Sequence, residues 1–505
     1  MRLYPMNLGQ ARTRLVQGGA ALAAVALIAG CGSTYRPVVS PVTPSGPPAQ
    51  PSSYTIVVSA PSPNTPGIAT VIDYSGDSVL ALAPIGVGPV AFTIDEVGGN
   101  GYTVNSDGTL SNFPLSASLQ AKQVLYSTLP TTAAPVNLFS PSSGLYAADL
   151  TGAVADIFTG FPQSLKLAIP VAPSPVMIVG PAVSGQRVFA MSQNLPSATP
   201  TGVECNTTPT AEPTGLADGI EISSFTVSSS ITVGKCPVYA IETLDNKRLF
   251  VLNRGDDTIS VINSQDNTLN TCTPFINQSG QTVHCHPTLP LSTTAVTATG
   301  ITPPNGTAGM VATAGPVYAE YNQATAQLIV ADYDGGTISV IDVSEDEYGN
   351  DSQTFGTTYT IPVGKNPAAV TVLADGSRAY TANQNDESIT IVQLSSHTVE
   401  KTLPTTGHPR TVVSTQNSQF GKVYAASPDS PYLTIIRTDL DIVDTAVLVE
   451  GNIVDVRVTT QNGSGGNADV SSRRPGFGQP CYLPPALEPA PTGTQTALEV
   501  CRTLP

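Results

Sequence analysis

The chain repeats itself in step, and this constrains its fold more than any other property. Seven prolines (Pro89, Pro135, Pro175, Pro237, Pro316, Pro367 and Pro409) each open an apolar or alternating segment, most after a turn such as Val87-Gly88, Gly234-Lys235-Cys236 or Gly364-Lys365-Asn366. A second column keeps pace with the first: short aromatic or β-branched segments ending in Asn105, Asp149, Ser192, Asn253, Asp332, Asn383 and Ser427. From proline to polar residue the spacing is 16, 14, 17, 16, 16, 16 and 18. A third column follows in the last repeats, where Ile259, Ile338, Ile389 and Leu433 lie six positions after the polar residue. Between these two columns lie Gly, Asn and Asp, as in Arg254-Gly255-Asp256-Asp257 and Tyr333-Asp334-Gly335-Gly336.

Each unit reads as apolar strand, turn, β-branched strand, Asn/Asp/Gly hairpin, β-branched strand and a Thr/Val-rich outer strand. That is a four-stranded antiparallel sheet. One such sheet cannot bury both faces alone, whereas radial stacking covers each face with a neighbour and leaves only short edges. The expected fold class is therefore all-β, a β-propeller. After Cys31 no window of 11 or more residues sustains a helical period. The segments RLFVLNRGDDTISVIN, QLIVADYDGGTISVID and RAYTANQNDESITIV resemble the repeats of YVTN-family propellers, over about residues 54–459 and most strongly from Pro237 to Val449. Asn105, Asp149 and Ser192 lie in degenerate repeats, and Ser427 replaces the usual Asn.

Seven prolines open seven blades. Ile453–Thr459 then reads as one more opening strand, and Tyr54–Ser59, Ile68–Asp73 and Ser78–Leu82 as three strands without an opening one. Joined, they make a composite eighth blade that closes the ring. Residues 54–459 number 406, and removing insertions at about 193–219 and 266–307 (27 and 42) leaves 337, or about 42 per blade. Repeats of this kind run roughly 40 to 45. Eight blades are expected, with seven, the commoner form in the resembled family, as the alternative.

Ahead of the repeats, Arg2, Arg12 and Arg14 precede an apolar stretch from Ala20 to Ala29 that ends in Leu27-Ile28-Ala29-Gly30-Cys31. This resembles a bacterial lipoprotein signal peptide, with about ten apolar residues where a membrane span needs roughly 18. The resemblance implies cleavage before Cys31 and acylation of its thiol, with palmitate among the acyl chains. It implies a cell-envelope protein anchored in a membrane, and Gly32 after the cysteine favours the outer membrane, facing periplasm or surface. Four segments follow: a signal at 1–30, a Pro/Ser-rich tether at 31–53, the propeller at 54–459 and a tail at 460–505.

Without the signal, 18 basic residues face 37 acids, a charge of −19. A chain this acidic, with no basic patch, is not expected to bind nucleic acid. Six cysteines remain beside Cys31: Cys205, Cys236, Cys272, Cys285, Cys481 and Cys501. An even number in an exported chain suggests disulfides. Proximity favours Cys272 with Cys285 and Cys481 with Cys501, the latter stapling the tail, which leaves Cys205 with Cys236.

Catalytic signals are sparse. The chain has four histidines: His284, His286, His397 and His408. His284 and His286 with Cys272 and Cys285 imitate a metal site, but a disulfide is the simpler reading. His397 and His408 read as surface or hairpin residues. Ser344–Asp351 is rich enough in oxygen to suggest calcium, yet its spacing is not that of an EF-hand and solvated turn tips explain it equally well. The tripeptide Arg254-Gly255-Asp256 occupies a hairpin position and reads as chance. No G-x-S-x-G, haem-attachment or phosphate-loop motif occurs. No metal or cofactor is therefore expected. The leading expectation is a non-enzymatic, monomeric binding or scaffolding module with an unidentified protein or glycan partner at a propeller face. Its alternatives are a purely structural envelope protein and a lactonase-like hydrolase, the latter implied by resemblance to propeller lactonases. For that enzyme the candidates on opening strands are Asp95, Glu96, Glu242, Glu320, Asp375 and Arg410.

Overall fold

A computed structural model describes residues 54–95, 98–131, 133–141, 144–180, 186–195, 213–291, 314–415 and 417–459. The signal peptide, Cys31, the tether, the tail with Cys481 and Cys501, and Cys205 lie outside them. Eight four-stranded antiparallel blades are present. Seven are opened by the inner strands Pro89–Ile94, Pro135–Phe139, Pro175–Val179, Pro237–Glu242, Pro316–Asn322, Pro367–Val372 and Thr411–Ser414. In the remaining sheet, Asn452–Val458 pairs antiparallel with Tyr54–Ala60, which continues through Pro66–Asp73 to Val79–Val87. Successive inner strands touch all the way round, with Asn452–Val458 between Thr411–Ser414 and Pro89–Ile94.

Burial follows the radial order. In the Pro237 blade the first two strands, Pro237–Glu242 and Arg248–Asn253, are buried at every residue. Outer strands such as Thr226–Lys235 and Thr398–Pro404 are largely exposed. Inner strands are apolar on both sides because each faces a blade on either side. One buried apolar cluster accordingly runs across blade boundaries from Val136 to Ile436.

The repeated columns are buried polar nodes. Asn253 Nδ2 donates to Thr258 Oγ1 at 3.1 Å and Ser260 Oγ at 2.9 Å, and Asn383 Nδ2 to Ser388 Oγ at 3.2 Å and Thr390 Oγ1 at 2.7 Å. Asp332 Oδ2 instead accepts from Thr337 and Ser339. The hydroxyl also accepts the amide three residues before its own blade's opening proline: Gly86 on Ser111 at 3.0 Å and Gly234 on Ser260 at 3.2 Å. The approach is so close that a Cβ on Gly234 would stand 2.6 Å from the Asn253 amide. One node thus ties second strand, third strand and incoming connection. Aspartates in the hairpins complete the clamp, since Asp107, Asp256 and Asp386 accept the amides of Val87, Lys235 and Lys365.

The structure corrects two insertion boundaries. The segment 193–219 contains the start of a regular third strand, Thr214–Glu221, whose Gly215, Asp218 and Gly219 disguise it. Asp218 sits at the node position, accepting from Ala172 N at 2.6 Å and from Ser230 Oγ. In the segment 266–307, Thr268–Leu269 and Thr288–Pro290 both pair with Thr258–Asn263, so the outer strand is interrupted rather than displaced.

Candidate functional site

Of the six charged candidates, Glu242 and Glu320 lie on inner strands. Glu320 is buried, and its Oε2 accepts the Val372 amide of the next blade's inner strand at 2.7 Å. Asn137 does the same for Ile178 N at 2.9 Å. The innermost strand has an unpaired edge, so its amides must find acceptors elsewhere. Here the preceding blade supplies them. Arg410 donates from NH2 to Val454 O at 3.2 Å. Asp375 and Asp95 are turn residues rather than inner-strand groups: Asp375 Oδ1 accepts from Ser377 N and Oγ, and Asp95 from Gly99 N and Asn100 Nδ2. Glu96 lies outside the described residues.

Glu242 differs from these. It is buried, its Oε2 has no hydrogen-bond partner among the described residues, and burial pushes its carboxyl up to about 8, with Ser264 and then Arg187 only partly offsetting the shift. Two node carboxyls behave alike: burial raises Asp332 to about 7, and burial with the neighbouring Asp149 raises Asp156 to about 6. Asp156 stands where other blades carry Ser260 or Ser339, so that node is built from two acids.

Farther out, residues 270–287 leave the Pro237 blade and lie on the loop following Thr337–Asp342. Cys272 and Cys285 are disulfide-bonded, with an S–S distance of 2.07 Å. Both sulfurs are therefore committed to each other, and among the described residues no three His, Cys, Asp or Glu side chains converge to hold a metal. Cys236 is disulfide-bonded too. Buried Asp351 anchors the excursion, accepting from Arg248, from Asn270 Nδ2 at 2.8 Å and from His286 N at 2.9 Å, with His286 Nδ1 3.0 Å away. His286 also stacks on Phe355. The acids of Ser344–Asp351 are likewise engaged: Asp346 Oδ1 accepts from Tyr348 N and Asn350 N, and Glu345 pairs with Lys247 at 2.6 Å. His408 Nδ1 lies 2.6 Å from Asp429, and His397 stacks on Tyr359. Arg254 of the Arg-Gly-Asp tripeptide forks onto Asp334, with Nε and NH2 at 3.2 and 2.9 Å.

Sequence reasoning missed Asp455 and Arg457, which are buried on Asn452–Val458, and the Asp149–Asp156 pair. Departure from the apolar columns was the signal available for Asp455 and Arg457. Their blade is split between the two ends of the repeat region, which hid its columns.

Eight four-stranded blades around a ring of inner strands define the protein as a β-propeller. Solved structures of similar shape include AztD from Citrobacter koseri, with 11% identity, 80% of this chain and 97% of that one covered, and a TM-score of 0.53. Dihydro-heme d1 dehydrogenase NirN, in complex with DHE, is 13% identical over 85% of this chain and 78% of its own, with a TM-score of 0.53. Saccharomyces cerevisiae Sqt1 is 9% identical over 77% and 94%, with a TM-score of 0.51. No protein-family model matches the chain, and no curated protein matches it.

Proposed function

We propose that this protein is a lipid-anchored, extracytoplasmic propeller of YVTN-like repeats, serving the bacterial envelope as a binding or scaffolding module. The observation that carries the reading is Glu320. The carboxylate best placed on an inner strand for chemistry is occupied in holding the next blade. Asp95 and Asp375 likewise hold turns. The envelope location is supported by Arg2, Arg12, Arg14 and the run Leu27–Cys31. Hairpins and inter-blade turns on the faces are the surfaces for a protein or glycan partner. To test the reading, cells expressing the full chain are labelled with an alkynyl palmitate analogue and fractionated. Label on the membrane-bound wild type and a soluble, unlabelled Cys31→Ala variant are expected. A variant that stays acylated and membrane-bound refutes the anchor.

A hydrolase of lactones is the second reading, and Glu242 favours it. A buried carboxyl held neutral at pH 7, with one oxygen unengaged, has the protonation state of a general acid. Turnover of a lactone panel by purified protein separates the two readings.

A further inference from the structure

We propose that the seam between the Thr411–Ser414 and Asn452–Val458 inner strands holds a small oxyanion on the guanidinium groups of Arg410 and Arg457. The residue after the opening proline is Val90, Val136, Val176, Val238, Val317 or Ala368 in the other six proline-opened blades, and only here a charged Arg410. On the adjoining strand, Asp455 lies across from Val58 and Arg457 across from Ile56. In the Pro367 blade the same register shift separates Pro367 from Ala369, so the residues corresponding to Asp455 and Arg457 are Ala369 and Thr371, across from Ala382 and Tyr380. Arg410 and Asp455 thus replace apolar residues, and Arg457 stands where other blades carry Thr371 or Glu320, at two neighbouring inner strands in contact with each other.

Their internal bonds do not satisfy them. Arg457 NH2 donates to Asp455 Oδ2 at 2.8 Å, Asp455 Oδ1 accepts Val456 N at 2.8 Å, and Arg410 NH2 reaches only the Val454 carbonyl. The Nε atoms of Arg410 and Arg457 are both buried and have no hydrogen-bond partner among the described residues. Two guanidiniums against one carboxylate leave one positive charge at the seam of a chain whose net charge is −16. A buried charged donor without an acceptor is more destabilising than a neutral one. Water would accept from an Nε–H but would not neutralise the charge. An oxyanion does both, and the planar guanidinium fork matches carboxylate and phosphate oxygens. Both Nε atoms are buried, so an occupant must be small enough to reach them. This site is independent of any partner on the propeller faces, so either inference can fail without the other.

Thermal unfolding of the full-length protein, titrated with millimolar acetate or inorganic phosphate against chloride at constant ionic strength, tests the proposal. A bound oxyanion raises Tm in proportion to the logarithm of its concentration above its Kd. The wild type should show this rise with at least one of the two oxyanions and a matching calorimetric binding heat; which one responds tells carboxylate from phosphate. Arg410→Val, which installs the residue of the other blades, should fold and lose the dependence. Should that variant fail to fold, Arg410→Lys keeps the charge without the fork and should bind about tenfold or more weakly. No oxyanion-specific rise in the wild type, or an undiminished rise in the folded variant, overturns the proposal.

Discussion

Glu320 Oε2 accepts the Val372 amide at 2.7 Å across the boundary between two blades. A residue that looks catalytic by its strand position is therefore part of the scaffold. Replacing Glu320 with Ala leaves a buried amide without its acceptor and should destabilise the protein by about 1–3 kcal/mol. Glu320→Gln retains a carbonyl acceptor and should lose less. Urea unfolding of both variants decides this; equal losses would mean that the carboxylate acts through something other than the Val372 amide.

Much of the fold was legible because every blade solves the same problem. The columns ending in Asn253, Asp332 and Asn383 mark buried nodes, and the glycines three residues before Pro89, Pro237 and Pro367 mark close backbone approach. What escaped lay where a blade departs from the pattern. Asp218 accepts Ala172 N in place of a hydroxyl, and the outer strand of the Pro237 blade is split by the disulfide-bonded excursion. For the site, sequence placed Glu320 on an inner strand but held no information on which amide it meets, since that contact crosses 52 residues of chain.

Stability should fall as pH rises from about 4 to 8. Asp156, Asp332 and Glu242 have folded values of about 6, 7 and 8, above their unfolded values of 3.8, 3.8 and 4.5. The native state therefore holds protons that the unfolded chain has released. Their contribution is complete below the unfolded pKa and is lost as pH rises through the folded one, by about 1.4 kcal/mol per pH unit for each carboxyl inside its window. The exposed carboxyls with lowered values, Glu221, Asp346 and Asp439, act with opposite sign only in more acidic solution. Asp332→Asn should flatten the profile between pH 4 and 7, and an unchanged slope in denaturant titrations would contradict the assignment.

Truncation after Gly451 removes the strand that pairs with Tyr54–Ala60 and uncovers its edge. It also removes Thr459, whose Oγ1 accepts Tyr54 N at 2.7 Å. An unpaired edge strand promotes association. Light scattering should show aggregation of the truncated protein; a monomer with unchanged Tm would mean that the seam strand is dispensable.

Reduction of Cys272–Cys285 should loosen residues 270–287 locally while the blades remain folded. The excursion is held otherwise by polar contacts centred on Asp351 and by His286 stacking on Phe355. Hydrogen exchange should quicken there and in the loop around Ser344–Asp351, and leave Arg248–Asn253 protected. Quickened exchange throughout the Pro237 blade would make the disulfide part of the core.

The central claim is that the acids on the inner strands belong to a binding or scaffolding module and not to a hydrolase. Glu242→Gln tests it most directly, with unfolding free energy at pH 8 and hydrolysis of a lactone panel measured on the same full-length preparations. Removing a carboxyl that must ionise while buried should leave the variant at least as stable as the wild type, and lactone hydrolysis should run at the uncatalysed rate for both. Hydrolysis by the wild type that drops by about a hundredfold or more in the variant, the size of a general-acid contribution, would contradict the claim and make Glu242 a catalytic group.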